Sequence, residues 1–338
     1  MAQRLNITNG DGAADVIRES GVAGDILPWQ DLMFEGPFPS GLDLDAASAL
    51  RATYFAETYP KDVDAGETFR ERNRRLRAAR EYDEVVLWFE HDLLDQLQLL
   101  QLLDWFADAD VGQIGLSLVC IDRHPDIEPF YGLGQLLPEQ LAPLYDTRAA
   151  VGADQLRLAH NGWRAFRSPD PTALERFLNQ DLSPLPFLHH ALSRHLEEFP
   201  SVESGLGRTD RQLLELVAQG IDEPGALFRA NMARDPVLHL GDWCTFRHVA
   251  RLCGGPAPLL RCVNGAPFRY PPGDAVPMAA FRAQRVAPTE TGRAVLSGGK
   301  DAASLNPFEY WLGGVHLRSG EAIWRWNAAQ LRLERTAV

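Results

Sequence analysis

Glu90, His91, Asp92, Asp95 and Gln96 bring three carboxyl groups, an imidazole and an amide into seven consecutive residues. Hard oxygen donors this close suit a divalent cation, Mg²⁺ or Mn²⁺. The same residues suit acid–base work, with one carboxyl kept protonated, another ionised and His91 relaying protons. On a helix, Asp92, Asp95 and Gln96 fall at i, i+3 and i+4, on one face of the first turn. Glu90 and His91 then flank that face. A plainer reading stands beside this one. Asp92 is a natural N-cap, Asp95 completes an imperfect capping box, and acidic groups at a helix start favour the helix dipole. Capping accounts for both aspartates but not for Glu90 and His91.

The elements around these residues read as α/β. Val85-Val86-Leu87-Trp88-Phe89 is a continuous apolar run, the pattern of a strand covered on both faces, and a Leu-rich helix follows to Phe106. The polar group therefore sits at the C-terminal edge of a strand, where open α/β sheets bind ligands. Leu5 to Thr8 reads as a first strand, Asn9-Gly10-Asp11-Gly12 as a turn, Ala13 to Ser20 as a helix and Asp25 to Leu27 as a second strand. The turn is neither GxGxxG nor a P-loop. Its backbone N–H groups could hold an anion, but Asp11 would cap the helix itself and repel phosphate. A sugar, a nucleoside base or a cation fits better. Asn9 and Asp11 are equally readable as turn residues or ligand contacts.

A long aromatic and acidic loop runs from Pro28 to Gly41 and contains Trp29, Asp31, Met33, Phe34, Glu35 and Phe38. If the strands are parallel neighbours, Asp31 and Glu35 join Asn9, Asp11 and Glu90 at one sheet edge. Ile114 to Ile121 reads as another buried strand, and Asp122 and His124 after it would add to the crevice. Ala46 to Tyr59 and Gly66 to Tyr82 read as helices. The second carries six arginines, interleaved with glutamates as on a solvated, salt-bridged face. Residues 1–135 are thus expected to form an open, mostly parallel, Rossmann-like sheet domain.

Residues 136–200 read as a helical connector, with Pro138, Pro171 and Pro184 ahead of helical patterns. His189, His190 and His195 in it are spaced poorly for joint metal binding, and a structural or surface role is favoured. Residues 201–338 read as a winged-helix-like α+β domain. Three short helices (209–218, 224–233, 242–253) precede a hairpin of 258–263 with 281–286 and a helix opened by Thr289. Its third helix offers Arg247, His248 and Arg251 to nucleic acid, and Asp242 against it. A second hairpin is expected from Val315–Leu317 and Ala322–Trp326, in a Trp-rich tail.

Bulk composition bounds the rest. The 338 residues suffice for two domains. Residues 1–200 hold 17 Lys+Arg against 33 Asp+Glu, and residues 201–338 hold 16 against 13. The acidic first part disfavours non-specific nucleic-acid binding; the second part permits it without requiring it. The four cysteines lack paired CxxC spacing, so buried thiols are favoured over a zinc site. No apolar run reaches membrane-spanning length and the N-terminus lacks signal-peptide features, which points to a cytoplasmic protein with no membrane partner. The near absence of lysine suggests a GC-rich bacterial genome.

The opening LNITNGD, the DILPWQDLMFEGPFP segment and the WFEHDLLDQLQLL segment, in that order, resemble an uncharacterised bacterial family, domain of unknown function 1835. The resemblance covers about the first 130 residues. LPFLHHALSRHLEEFPS followed by GLGRTDRQLLELVAQG is similar to the usual C-terminal extension of that family. The resemblance implies no chemistry. It does imply that Asn9, Asp11, Asp31, Glu35, Glu90, His91, Asp92 and Gln96 form one constellation.

Two functional classes follow. The first is an enzyme acting on a polar small molecule (a nucleoside, sugar or phosphometabolite), with Glu90, His91, Asp92 and Asp31 catalytic and Asn9, Asp11, Trp29, Glu35, Asp95 and Gln96 binding the ligand. Mg²⁺ or Mn²⁺ is the cofactor such a set would take. No GxSxG, HExxH or Cys-His arrangement points elsewhere. The second is a ligand-responsive regulator whose C-terminal domain contacts DNA or a protein.

Overall fold

The computed structural model describes residues 3–59, 64–109, 112, 114–235, 237–238, 240–271 and 276–336. The chain divides into two compact units, one of residues 1–192 with 313–315, the other of residues 193–312 with 316–338.

The first unit is built on strands β1 (Arg4–Thr8), β2 (Asp25–Pro28), β3 (Glu84–Glu90), β4 (Gly115–Ile121) and the two-residue β5 (Ala149–Ala150), in the order β2-β1-β3-β4-β5. The first four strands are parallel, and only β5 is antiparallel, against β4. Between them run α1 (Asp11–Glu19), α2 (Leu44–Thr58), α3 (Ala65–Arg77) and α4 (Leu93–Asp108). After β4 come α5 (Pro138–Leu141), α6 (Ala153–Phe166), α7 (Thr172–Leu178) and α8 (Leu188–Leu196). The alternation of β3 decides the layers. Val86 and Trp88 share one hydrophobic cluster with Ala13 and Ile17 of α1 and with Leu133, Leu136 and Leu141. Val85, Leu87 and Phe89 project to the other face and are equally buried. Each such fully buried side chain contributes about 1.5–3 kcal/mol before conformational entropy is subtracted. A strand covered on both faces is what the unbroken apolar run required. Strand order reverses at β1, whose neighbours β2 and β3 extend the sheet in opposite directions. The gap between the C-terminal ends of β1 and β3 is therefore the switch point at which sheets of this kind open a crevice.

Two expectations for this unit need correction. The first helix starts at Asp11, with extended Gly10 at the N-cap and no side-chain cap. Asp11 is thus an exposed first-turn residue favoured by the dipole, not a cap. The arginine-rich helix is not solvated throughout. Arg70 and Arg74 do pair with Glu67 and Glu71 at the surface, but Arg72 is buried.

The second unit contains α9 (Arg208–Ala218), α10 (Pro224–Arg234), α11 (Asp242–Leu252), strands β6 (Leu260–Cys262) and β7 (Val286–Pro288), α12 (Met278–Ala283) and α13 (Glu290–Leu296). Its tail holds β8 (Glu309–Leu312), β9 (Val315–Arg318), β10 (Ile323–Asn327) and β11 (Arg332–Thr336). β6 and β7 pair antiparallel, but the second strand begins at Val286. Phe281 lies instead on α12, its ring 4.8 Å from that of Phe246. Met278 to Ala283 follows Pro277, which suits a helix start better than a strand. The tail makes two hairpins rather than one, β8 with β9 and β10 with β11. Gly313, at φ 58°, supplies the turn between β8 and β9, so residues 315–318 pair backwards in the chain. All four cysteines are free thiols. Among the described residues, no helix is long and apolar enough to cross a membrane.

Candidate acidic centre at the sheet switch point

Glu90 ends β3, Asp92 is the N-cap of α4 and Asp95 lies in the first turn of that helix. The strand-to-helix turn brings one carboxyl oxygen of each within 4.8 Å of the others. All three side chains are buried. Asp92 does cap the helix, accepting from the Asp95 N–H at 2.9 Å. Capping does not exhaust Asp95, whose carboxyl turns back to accept the Glu90 N–H at 2.6 Å. From the end of β1, the Asn9 amide donates to Glu90 Oε2 and to Asp95 Oδ1, each at 2.8 Å. The remaining Glu90 oxygen accepts the N–H of Leu133. Gln96 braces the backbone, donating to the Glu90 carbonyl at 2.6 Å, and its amide also meets Cys120 Sγ at 3.4 Å.

Among the described residues, the hydrogen-bond donors that reach Glu90 and Asp95 are neutral, and burial is the largest influence on all three carboxyls. Loss of solvation pushes Glu90 up to about 7; the Asp92 charge pushes the same way, while hydrogen bonds from Asp95 and the Leu133 N–H hold it down. Burial also lifts Asp92 and Asp95 well above the usual carboxylate range, each aided by the charge of a neighbouring acid. The Cys120 thiol is raised too, by burial first and then by the three acids, so it is no ready nucleophile. The donor set is hard oxygen throughout and fits a divalent ion of the Mg²⁺ or Mn²⁺ kind: each hydrogen-bonded carboxyl oxygen keeps a second lone pair.

The other expected residues separate into a second group. Asp31 is buried and paired with Arg51, which reaches Asp31 Oδ1 through Nε at 3.0 Å and Nη2 at 2.7 Å. Arg51 also donates to the carbonyls of Glu35 at 2.7 Å and Leu32 at 3.0 Å. Asp31 and the Glu35 segment are therefore held by an arginine and stand apart from the close carboxyl set. Trp29 is buried, with its indole N–H on Gln101 Oε1 at 2.8 Å and its ring 4.0 Å beneath the Arg72 guanidinium. Arg72 reaches the Trp29 carbonyl at 2.9 Å and comes no closer than 3.9 Å to Asp31, and burial lowers it to about 10. His91 is half-buried beside the centre, its ring edge-on to Phe187 at 6.3 Å, and is outside the close set. Asp11 is exposed. Asp122 pairs with Arg123 at 3.6 Å and His124 bridges to Ile127; neither joins the carboxyl set.

Arg51, Arg72, Gln98, Gln101 and the Gly132–Leu133 turn were not anticipated. Gln98 donates to the Asp31 carbonyl at 2.9 Å. Gln98 and Gln101 are polar residues three apart inside a Leu-rich helix, and that stripe was the signal that α4 faces something polar. The Leu133 N–H left none, because a backbone donor has no letter in the sequence. No protein-family model matches the chain, and no curated protein matches it either.

Proposed function

We propose that this chain is an enzyme acting on a polar small molecule (a nucleoside, sugar or phosphometabolite) at the C-terminal edge of the sheet, with Glu90, Asp92 and Asp95 as its reacting centre and Mg²⁺ or Mn²⁺ as its cofactor. One observation carries this reading: three buried carboxyl groups converge at the switch point, and the largest influences on them are burial, one another and neutral hydrogen-bond donors. Uncompensated buried acids cost stability, and such a cost persists where the site uses it. The residues take distinct roles. Glu90, pushed up to about 7, is the acid–base group near neutral pH, and Asp95 supplies a second carboxyl beside it. Asp92 adds the third oxygen. A bound divalent ion would supply the positive charge that polarises a substrate oxygen. The kinship of residues 1–130 with the uncharacterised family belongs to the same proposal, since its shared motifs hold Asn9, Glu90, Asp92 and Gln96.

Thermal unfolding of the whole chain with Mg²⁺, Mn²⁺, Ca²⁺, nucleosides and sugar phosphates tests it. A ligand at about 100 times its Kd adds roughly 2.7 kcal/mol. The expected shift disappears in Glu90→Gln/Asp92→Asn. A shift that survives the double substitution places the site elsewhere, and no shift with any probe removes the reading.

A second reading, a regulator with a winged-helix-like domain, is favoured by the order α9-α10-α11 followed by the β6–β7 pair. Its helix α11 is poorly equipped for DNA: Asp210 engages His248 at 2.7 Å and Arg251 at 2.6 Å, and Arg247 is half-buried. A packing or protein-contact role suits that helix better. DNA binding by the full chain with a steep salt dependence would reverse this preference.

A further inference from the structure

Asn9 sits where a ligand contact was expected, at the end of β1, yet both donors of its amide are spent on the protein. One reaches Glu90 Oε2 and the other Asp95 Oδ1, each at 2.8 Å. The opposite oxygens of the same two groups are held by backbone, Glu90 Oε1 by the Leu133 N–H and Asp95 Oδ2 by the Glu90 N–H. Four oxygens thus receive four neutral donors from three chain segments. Asn9 is the one side chain among the described residues that donates to both carboxyls. Beside the Leu133 donor, a Cβ on Gly132 would stand 3.0 Å from the Glu90 carboxyl, so the pair is fitted closely on that side as well. We propose that Asn9 is a positioning residue of the acidic centre: its amide clamps Glu90 and Asp95 into one unit and thereby holds Glu90 against the Leu133 N–H, and it makes no contact with the ligand. This rests on the acidic centre proposed above, but it is read without any ligand.

Hydrogen exchange of the full-length chain tests the clamp. In the unmodified protein, the Asn9 side-chain amide protons exchange at least tenfold more slowly than those of exposed Asn264. In Asn9→Ala, the backbone amides of Leu133 and Glu90 exchange at least tenfold faster, while amides in the middle of α4 keep their rates. Asn9→Ser, with a single donor, falls between. A role confined to the β1–α1 turn leaves Leu133, which is remote in sequence, unchanged, and a merely stabilising role speeds every amide together; either pattern overturns the proposal. If Asn9→Ala does not fold, the Asn9 amide in the unmodified chain and the Asn9→Ser variant still decide. Failure of every ligand probe would remove the enzyme reading and leave this result intact.

Discussion

Glu90 carries an ionisation that folding makes harder, and the sign of its effect on stability follows. Its carboxyl rises from 4.5 to about 7 on folding, chiefly through burial. Below pH 4.5 both states hold the proton and nothing is lost. As the pH rises from 4.5 towards 7, the unfolded chain ionises first, so stability falls, and above 7 the loss levels off. The shift corresponds to ~3 kcal/mol. Urea unfolding at pH 5 and pH 8 should show this decline, and Glu90→Gln should remove the Glu90 share of it while Asp92 and Asp95 keep theirs. A wild-type stability that rises over the same interval would mean that Glu90 is ionised and compensated in the folded chain. A saturating divalent ion should also reverse the decline, because it favours the ionised carboxylates that burial resists. The spacing of residues 90–96 made this group legible in the sequence, since acids at the end of a buried strand and in the first turn of the next helix must converge on the sheet edge. The arginines were not legible in the same way. Arg51 and Arg72 have the same letter as the solvated Arg70 and Arg74, and only the packing of the 29–38 loop distinguishes them.

Two segments that reach the sheet edge are held by different means, and each can be undone separately. The loop after β2 is folded around Arg51, which binds Asp31 and two carbonyls, while its guanidinium lies 4.4 Å from the centroid of the Phe38 ring. Gly36, at φ 79°, leaves room for that guanidinium, on which any Cβ would intrude. Arg51→Met strands a buried carboxylate and should cost about 3–5 kcal/mol by urea unfolding. A loss below about 1 kcal/mol would show that the loop is held by its aromatic side chains alone. Arg51→Lys keeps the charge without the forked geometry and should recover only part of the loss. The segment around Leu133 is held by its packing on α1 and by the Glu90 carboxylate. Gly132→Ala forces Glu90 or the turn to move and should cost about 1–3 kcal/mol, the range for a buried acceptor that loses its partner. Gly134→Ala meets only ordinary contacts near 3.4 Å from Gly12 and should cost clearly less. Equal costs would make the Leu133 bond incidental. Strand β3 could be read from its unbroken apolar run, because burial on both faces erases alternation, and β1 from the alternation of Leu5-Asn6-Ile7-Thr8. The two tail hairpins and the start of β7 could not. Short strands with mixed burial carry little periodicity, and which of them pair depends on turns such as Gly313.

The acidic centre of the first unit and the buried ion pairs of the second shift in opposite directions. In the first, the fully buried carboxyls Glu90, Asp92 and Asp95 are all raised, so protonation relieves the fold. In the second, burial also pushes Asp210 and Glu198 up, but nearby cations more than offset it: Arg251 and His248 hold Asp210 down to about 2, and Arg194 and His248 lower Glu198. Asp210 therefore contributes stability that is present above 3.8, its unfolded value, and is lost as the pH falls through about 2, a contribution of ~2 kcal/mol. Loss of the Asp210 charge also leaves Arg251 without the carboxylate it meets at 2.6 Å. Acidification should thus loosen α9 and α11 while the C-terminal end of β3 and the start of α4 tighten, and alkaline conditions should act the other way on that strand end and helix start. Hydrogen exchange at pH 3 and pH 8, corrected for intrinsic rates, reads both units in one sample. Protection should move from the second unit to the first as the pH falls. If both units lose protection together at pH 3, then the raised carboxyls of the first unit are already ionised at neutral pH, and a bound cation becomes necessary for three buried charges to be tolerated at the switch point.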